Sequence, residues 1–407
     1  MQQYTSTPMP KHMLLKRIST HLTKSVAKVK IVTNTIDIAL AAGYPCEEHL
    51  VQTADGYILT VHHIPPYIKT KQIDPNARVP KGVVFLQHGL VGASSQWITN
   101  DEKSSLGYLL SDAGYDVWMG NFRGNLYSRI HISLTIDDKD YWKFSWDEMA
   151  KYDLPAMLDY VLKQTHTTKL WYIGHSMGTT TLFALLSSQP EYQDRVAAMI
   201  ALAPVATVKT IQSPVKYMAP LTKDIMEFLR TLGYDQDLLT SSRLRSLWEP
   251  SPSVNLPGVQ TVAENVAFIL SGLDADRVHK EMLPTILSQN PAGTSTQTLL
   301  HFGLNVKSGE FNMYDHGDAE NLRLYGQKQP LTYDVTSINT PVYLIHSKND
   351  WLTGEWDIQQ LEKKLRNLKN SHQIEHPCFS HLDFLWARDA KCLVYDYVLD
   401  ILNKSSI

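Results

Sequence analysis

The strongest chemical signal in the sequence is Gly174-His175-Ser176-Met177-Gly178. It falls between an apolar, strand-like run, Lys169–Gly174 (KLWYIG), and a helix-like run, Gly178–Ser188. A serine placed this way stands at the tip of a sharp strand-to-helix turn, where side chains two residues to either side would meet neighbouring backbone. Glycine at both positions removes that obstruction. A serine hydroxyl is a weak nucleophile near neutral pH, so the pattern calls for a histidine base and a carboxylate to orient it. In strand–turn–helix sites of this kind the chain order is serine, acid, histidine.

Acid candidates late in the chain are Asp334, Asp350, Glu355 and Asp357. Asp350 is preferred because it closely follows the apolar run Pro341–Ile345, and groups at the carboxyl ends of parallel strands face the reacting centre. The base candidates beyond it are His372, His376 and His381. His381 is preferred, with His376 in reserve, because it lies in a loop before the last helix and is free to turn back over Ser176. His175 is expected to be a packing neighbour. The backbone N–H groups of Met177 and Leu90, the latter in the loop Gln87-His88-Gly89-Leu90, are expected to form the oxyanion hole. No ligand cluster shows metal-binding spacing along the chain, so neither metal nor cofactor is expected.

The elements that must position these groups alternate. His49–Thr53 and Tyr57–His62 flank Asp55-Gly56, a hairpin signal. Buried strands are expected at Gly82–Gln87, Tyr115–Met119, Lys169–Gly174, Val196–Ala203 and Pro341–Ile345, with a weaker one at His372–His376. Helices are expected at Leu106–Ala113, Trp146–Leu162, Gly178–Ser188 and Phe384–Leu402. This alternation implies an α/β fold with a mostly parallel central sheet flanked by helices. Residues 43–206 and 330–403 form that core. Residues 207–329 look largely helical and are too long for a connection, so they are expected to insert as a cap or lid.

The 407 residues, 43% of them hydrophobic, suffice for a full core, and a formal charge of -3 leaves no basic footprint for nucleic acid. Cys46, Cys378 and Cys392 allow at most one disulfide. No apolar run is long enough to span a membrane. Residues 1–42 read as a basic tail or targeting segment: Lys11, Lys16, Arg17, Lys24, Lys28 and Lys30 occur before any acidic residue, without the apolar h-region of a secretory signal.

The chain resembles the acid lipases of the α/β-hydrolase class, the gastric and lysosomal acid lipase type. The resemblance rests on GYPCEE (43–48), FLQHGLVGASSQWITN (85–100), NFRGNLYSR (121–129), KFSWDEMAKYDLPAMLDYVL (143–162), YIGHSMGTT (172–180), ALAPVA (201–206), NLRLYGQKQPLTYDV (321–335), HSKNDWL (346–352) and HLDFLWARDA (381–390). It implies an α/β-hydrolase fold with a helical cap. It also implies a Ser176–Asp350–His381 triad, an oxyanion hole at Leu90 and Met177, and an acyl-enzyme route to hydrolysis of neutral lipid esters at a lipid–water interface. A secreted or lysosomal location is implied too, although no signal segment stands at the start. Asn403-Lys404-Ser405 is the one glycosylation sequon found, and Phe122 stands where many relatives carry a smaller residue. Thioesterase or peptidase activity on the same scaffold, or a non-catalytic lipid-binding role, are the alternative readings.

Overall fold

The sheet starts from the Asp55-Gly56 turn. Gly56 has φ +100°, and a Cβ there would lie 2.8 Å from His131 Nε2, so glycine is required. The turn joins β1 (Glu47–Gln52) to β2 (Tyr57–Ile64) in antiparallel register, Glu47 opposite His63 and Gln52 opposite Ile58. The computed structural model describes residues 34–67, 80–213, 216 and 277–404. The remaining strands are β3 (Val83–Gln87), β4 (Asp116–Gly120), β5 (Ile130–His131), β6 (Leu170–His175), β7 (Val196–Leu202), β8 (Val342–Ser347) and β9 (Leu368–Ile374). Their order is β1-β2-β4-β3-β6-β7-β8-β9, with β5 paired to β2. From β4 to β9 every pairing is parallel.

Every residue of β3, β4 and β6 is buried. That explains why these strands read as continuous apolar runs rather than alternating ones: helices cover both faces of a parallel sheet. The helices of the described residues are α1 (Thr35–Ala41), α2 (Leu106–Asp112), α3 (Leu154–Thr165), α4 (Met177–Ser188), α5 (Leu283–Gln289), α6 (Thr296–Ser308), α7 (Asp318–Tyr325), α8 (Glu355–Lys364) and α9 (Asp396–Lys404), with shorter turns between them. None is long and apolar enough to cross a membrane. The main core gathers Phe85, Met157, Leu158, Tyr172, Phe183, Leu185 and Leu344, all buried, from strands and helices alike.

Several expectations need correcting. Residues 35–41, grouped above with the N-terminal segment, form α1; Asn34 caps it by accepting from the Asp37 N–H at 2.8 Å, and Thr35 bonds Ser94 Oγ at 3.1 Å. Residues 1–33 lie outside the described residues. The weak last strand begins four residues early, at Leu368, because β9 is an edge strand with most of its side chains only partly buried, and its polar sequence hides it. The helix expected at Phe384–Leu402 breaks: Asp383–Trp386 is a short turn, Ala387 bridges to Val278, and a π-turn at Lys391–Tyr395 precedes α9. The helix beginning at Trp146 also contains a π-turn, Met149–Asp153, just before Pro155. The widened turn absorbs proline's missing N–H and ring clash. Cys46, Cys378 and Cys392 are all free thiols.

The expected insertion is described at 207–213, 216 and 277–329, where α5, α6 and α7 carry it. Ile211 is buried with Val205 and Val208. Tyr217, Met218, Ile225, Met226, Phe228, Leu229 and Phe268-Ile269-Leu270, the expected apolar lining of the cap, lie outside the described residues.

One buried cation ties this scaffold together. The Arg123 side chain is 1% exposed; its Nε donates to Asp153 Oδ1 at 2.8 Å and its Nη1 to Asp55 Oδ2 at 2.6 Å. Its guanidinium also lies 4.0 Å from the Tyr57 ring centre. Burial opposes its charge, but the two carboxylates outweigh burial and hold its pKa above the ordinary value. The hairpin turn, the loop after β4 and the π-turn at Asp153 therefore share one ion cluster. Arg123→Met is expected to destabilise the fold by about 3–5 kcal/mol, because it strands a buried carboxylate. A denaturant titration reads this as a lowered midpoint. Lys143→Ala, which removes the exposed partner of Asp140, is expected to change nothing measurable.

Candidate active site

Ser176 sits between β6 and α4 with φ 54° and ψ -121°, a left-handed conformation that a side-chain-bearing residue rarely adopts. Its N–H donates to the Leu202 carbonyl at 3.0 Å, and its own carbonyl accepts from the Thr179 N–H at 2.8 Å. These bonds hold the turn on both sides. The flanking glycines prove necessary for a concrete reason. A Cβ at Gly178 would lie 2.4 Å from the Gln87 carbonyl oxygen, and one at Gly174 would lie 2.8 Å from the Gly178 backbone. The turn thus packs backbone to backbone against β3, and no side chain fits at either place.

The loop after β3 crosses the turn. A Cβ on Gly89 would lie 3.0 Å from the Ser176 Cβ. Met177 opens α4, so its N–H has no acceptor within the helix. Among the described residues neither the Met177 nor the Leu90 N–H donates to a backbone or side-chain acceptor. Both expected oxyanion donors are therefore free. The loop's shape is set by His88, which is buried. Its Nδ1 donates to the Gly89 carbonyl at 2.8 Å, and its Nε2 accepts from the Phe122 N–H at 3.0 Å. Burial lowers the His88 pKa to about 4, so the neutral tautomer is fixed. Phe122 serves His88 through its main chain, and its ring packs edge-on against the imidazole at 5.1 Å.

Asp350 follows β8 and is fully buried. Its Oδ1 accepts from the Leu352 N–H at 2.8 Å and the Thr353 N–H at 3.1 Å, while its Oδ2 meets His381 Nδ1 at 2.8 Å. Burial pushes its pKa up, but the His381 charge and these hydrogen bonds outweigh burial and hold it below the ordinary carboxylate value. Asp357, another of the acid candidates and expected to be a solvated helix residue, is instead buried and accepts from Thr207 and Thr210. His376, the reserve base, stacks its polar atoms on Arg277, 2.6 Å from Nη1, and does not join Asp350. His372 packs against Tyr397.

The His381 segment is tied to the turn through His175, the residue preceding Ser176. His175 Nε2 donates to the His381 carbonyl at 3.0 Å, and the two rings lie 4.9 Å apart. Among the described residues no hydrogen bond joins the Ser176 hydroxyl to the imidazole. Catalytic contacts of this kind often tighten only around substrate. His175 thus packs against His381 and, beyond the packing expected of it, bonds the His381 main chain. Sequence reasoning also missed Ser347, whose Oγ donates to the Phe379 carbonyl at 2.5 Å, and Asp383, which accepts from the Ser380 N–H at 2.7 Å. Asp383 in turn lies 3.4 Å from Arg277 Nε. No motif marks Ser347, because its partner Phe379 lies 32 residues away along the chain, and the Arg277 contact of Asp383 is more distant still.

The chain is similar to known proteins. A family model described as the partial α/β-hydrolase lipase region matches residues 35–101, and one for the α/β-hydrolase fold matches residues 82–244. The chain is 40% identical to gastric triacylglycerol lipase of Homo sapiens, covering 89% of each protein. It is 38% identical to human lysosomal acid lipase/cholesteryl ester hydrolase, covering 91% of each. Among solved structures, a soluble variant of monoglyceride lipase from Saccharomyces cerevisiae superposes with a TM-score of 0.51 at 14% identity, over 88% of this chain and 95% of that one. At that identity the likeness concerns fold alone.

The two buried histidines give the site a defined response to acid. Burial, reinforced by the neighbouring His381, lowers the His175 pKa to about 3, and His88 lies at about 4. Unfolded, both titrate near about 6.5. Between those limits the unfolded chain binds more protons than the folded one. Their contribution to stability is full above about pH 6.5 and is lost as the pH falls toward 4. His175→Gln is expected to flatten this dependence by one proton, about 1.4 kcal/mol per pH unit. Urea midpoints measured from pH 7 to pH 4.5 read the slope, and an unchanged slope would mean that His175 protonates within the folded protein.

Proposed function

The chain belongs to the family of gastric and lysosomal acid lipases within the α/β-hydrolases, and from that premise we propose that Ser176, Asp350 and His381 are its catalytic triad. It is a lipase, a carboxylic ester hydrolase. The observation that carries the triad is the 2.8 Å bond between Asp350 and His381, on a loop whose main chain is tied to the residue preceding Ser176.

In this reading Asp350 holds the proton on His381 Nδ1, leaving Nε2 as the base. Nε2 takes the Ser176 proton as Oγ attacks the ester carbonyl carbon. The resulting oxyanion is held by the Met177 and Leu90 N–H groups. His381 then delivers the proton to the departing alcohol, leaving an acyl-serine. Water, deprotonated by the same imidazole, attacks the acyl carbon and releases the fatty acid. Each main-chain donor contributes a factor of about a hundred to a thousand in rate.

The substrates proposed are neutral lipid esters, triacylglycerols or sterol esters, met at a lipid–water interface. The names of the relatives support this choice. Ser176→Ala is expected to abolish ester turnover and labelling by a fluorophosphonate, with folding unchanged. Asp350→Asn is expected to lower kcat by about 10⁴-fold, because the imidazole loses the partner that fixes its tautomer. Mapping the labelled peptide to another serine would overturn the assignment. A p-nitrophenyl ester series is expected to favour long acyl chains, whereas preferential cleavage of thioesters or peptides would overturn the lipid reading.

A further inference from the structure

The register of the first hairpin places three metal-ligating side chains on one face of the sheet. Glu47 on β1 pairs directly with His63 on β2, and His49, two residues along β1, points to the same side. Glu47 Oε2 lies 3.4 Å from His63 Nδ1 and 3.5 Å from His49 Nε2. All three ligand atoms fall within 4.8 Å of one another. Tetrahedral zinc, with bonds of about 2.0–2.1 Å to nitrogen and oxygen, holds its ligand atoms roughly 3.3 Å apart. We propose that Glu47, His49 and His63 form a binding site for a divalent transition-metal ion, with zinc the ion that best suits two imidazoles and a carboxylate.

The surroundings of the cluster support this. Each imidazole has its second nitrogen occupied and its first turned inward. His63 Nε2 meets Asp116 Oδ1 on β4 at 2.6 Å, and Asp116 is itself held by the Trp118 Nε1–H at 3.0 Å. His49 Nδ1 meets the Tyr160 hydroxyl of α3 at 3.0 Å. Metal-bound histidines are typically oriented in this way, by a carboxylate or hydroxyl on the far nitrogen. His49 Nε2 is buried and has no hydrogen-bond partner despite the nearby carboxylate. His63 thus lies between two carboxylates, Asp116 at Nε2 and Glu47 at Nδ1, which gather negative charge around the ring and favour a cation beside it. Trp118 stacks on the His63 ring at 4.1 Å, fixing its plane. The Glu47 side chain is 62% exposed, which leaves a solvent-facing position for water as a fourth ligand.

The ion would fasten edge strand β1 to β2 and, through Asp116, to β4. It lies three strands from β6 in the sheet order, roughly 14 Å at ordinary strand spacing, so it has no part in ester chemistry. The intervening spacing explains why the linear sequence hides the site: Glu47 and His63 become neighbours only once the Asp55-Gly56 turn sets the register.

The test uses full-length protein freed of any polyhistidine tag, treated with EDTA, and with exposed thiols alkylated so that Cys378 and Cys392 bind nothing. Titration with zinc chloride against a chromophoric chelator is expected to show one equivalent bound. The thermal midpoint is expected to rise by roughly 3–5 °C at free zinc about a hundred times the dissociation constant. His63→Gln and Glu47→Gln are expected to abolish both effects. Asp116→Asn keeps all three ligands and is expected to weaken binding by about 10–100-fold. Unchanged p-nitrophenyl butyrate hydrolysis in metal-free buffer confirms that each variant folds. No zinc bound by the wild type, or binding that survives in both His63→Gln and Asp116→Asn, would overturn the site.

Discussion

The close approach of two stretches of backbone at Ser176 governs the rest of this molecule. A residue with a side chain is held at positive φ, a conformation costing of order 1–3 kcal/mol that persists only where its surroundings over-determine it. Here the surroundings are the Gln87 carbonyl, pressed against Gly178, and the Leu202 carbonyl, which takes the Ser176 N–H. Both belong to the strands flanking β6. The sheet order is therefore part of the proposed chemistry: β3 leads to the loop proposed as the oxyanion hole on one side, while β8 and β9 lead to the proposed acid and base on the other.

Much of this could be read from residue types. The buried parallel strands announce themselves as apolar runs, because a strand covered on both faces has no polar side to alternate with. The elbow is legible because its glycines answer a steric demand local to five residues. Asp350 and His381 are legible because the ends of parallel strands and the loops beyond them face the same edge. Elements whose stability comes from elsewhere were harder to place. β9 is an edge strand with a polar sequence, and the last helix breaks at Ala387 because that backbone pairs with Val278, more than a hundred residues away. α1 was missed because its anchor, Ser94, belongs to another part of the chain.

The polar groups around the triad illustrate the same division. His88, His175, Ser347 and Asp383 carry no motif, yet each fixes a main-chain position from which a reacting group is presented. They are buried, and each bonds a backbone atom. Their contribution is geometric: side chains in well-defined protonation states replace the solvent that would otherwise let the loops wander. Arg123 does comparable work elsewhere in the scaffold, joining three segments through two carboxylates.

The segment bearing His381 is pinned at three points by three unrelated parts of the chain: β6 through His175, β8 through Ser347, and the stretch at Arg277 through Asp383. Three pins determine an orientation as well as a position. The imidazole therefore inherits its aim from several elements at once, and in the proposed mechanism the Arg277 side chain, touching Asp383, helps set the direction in which the base would point.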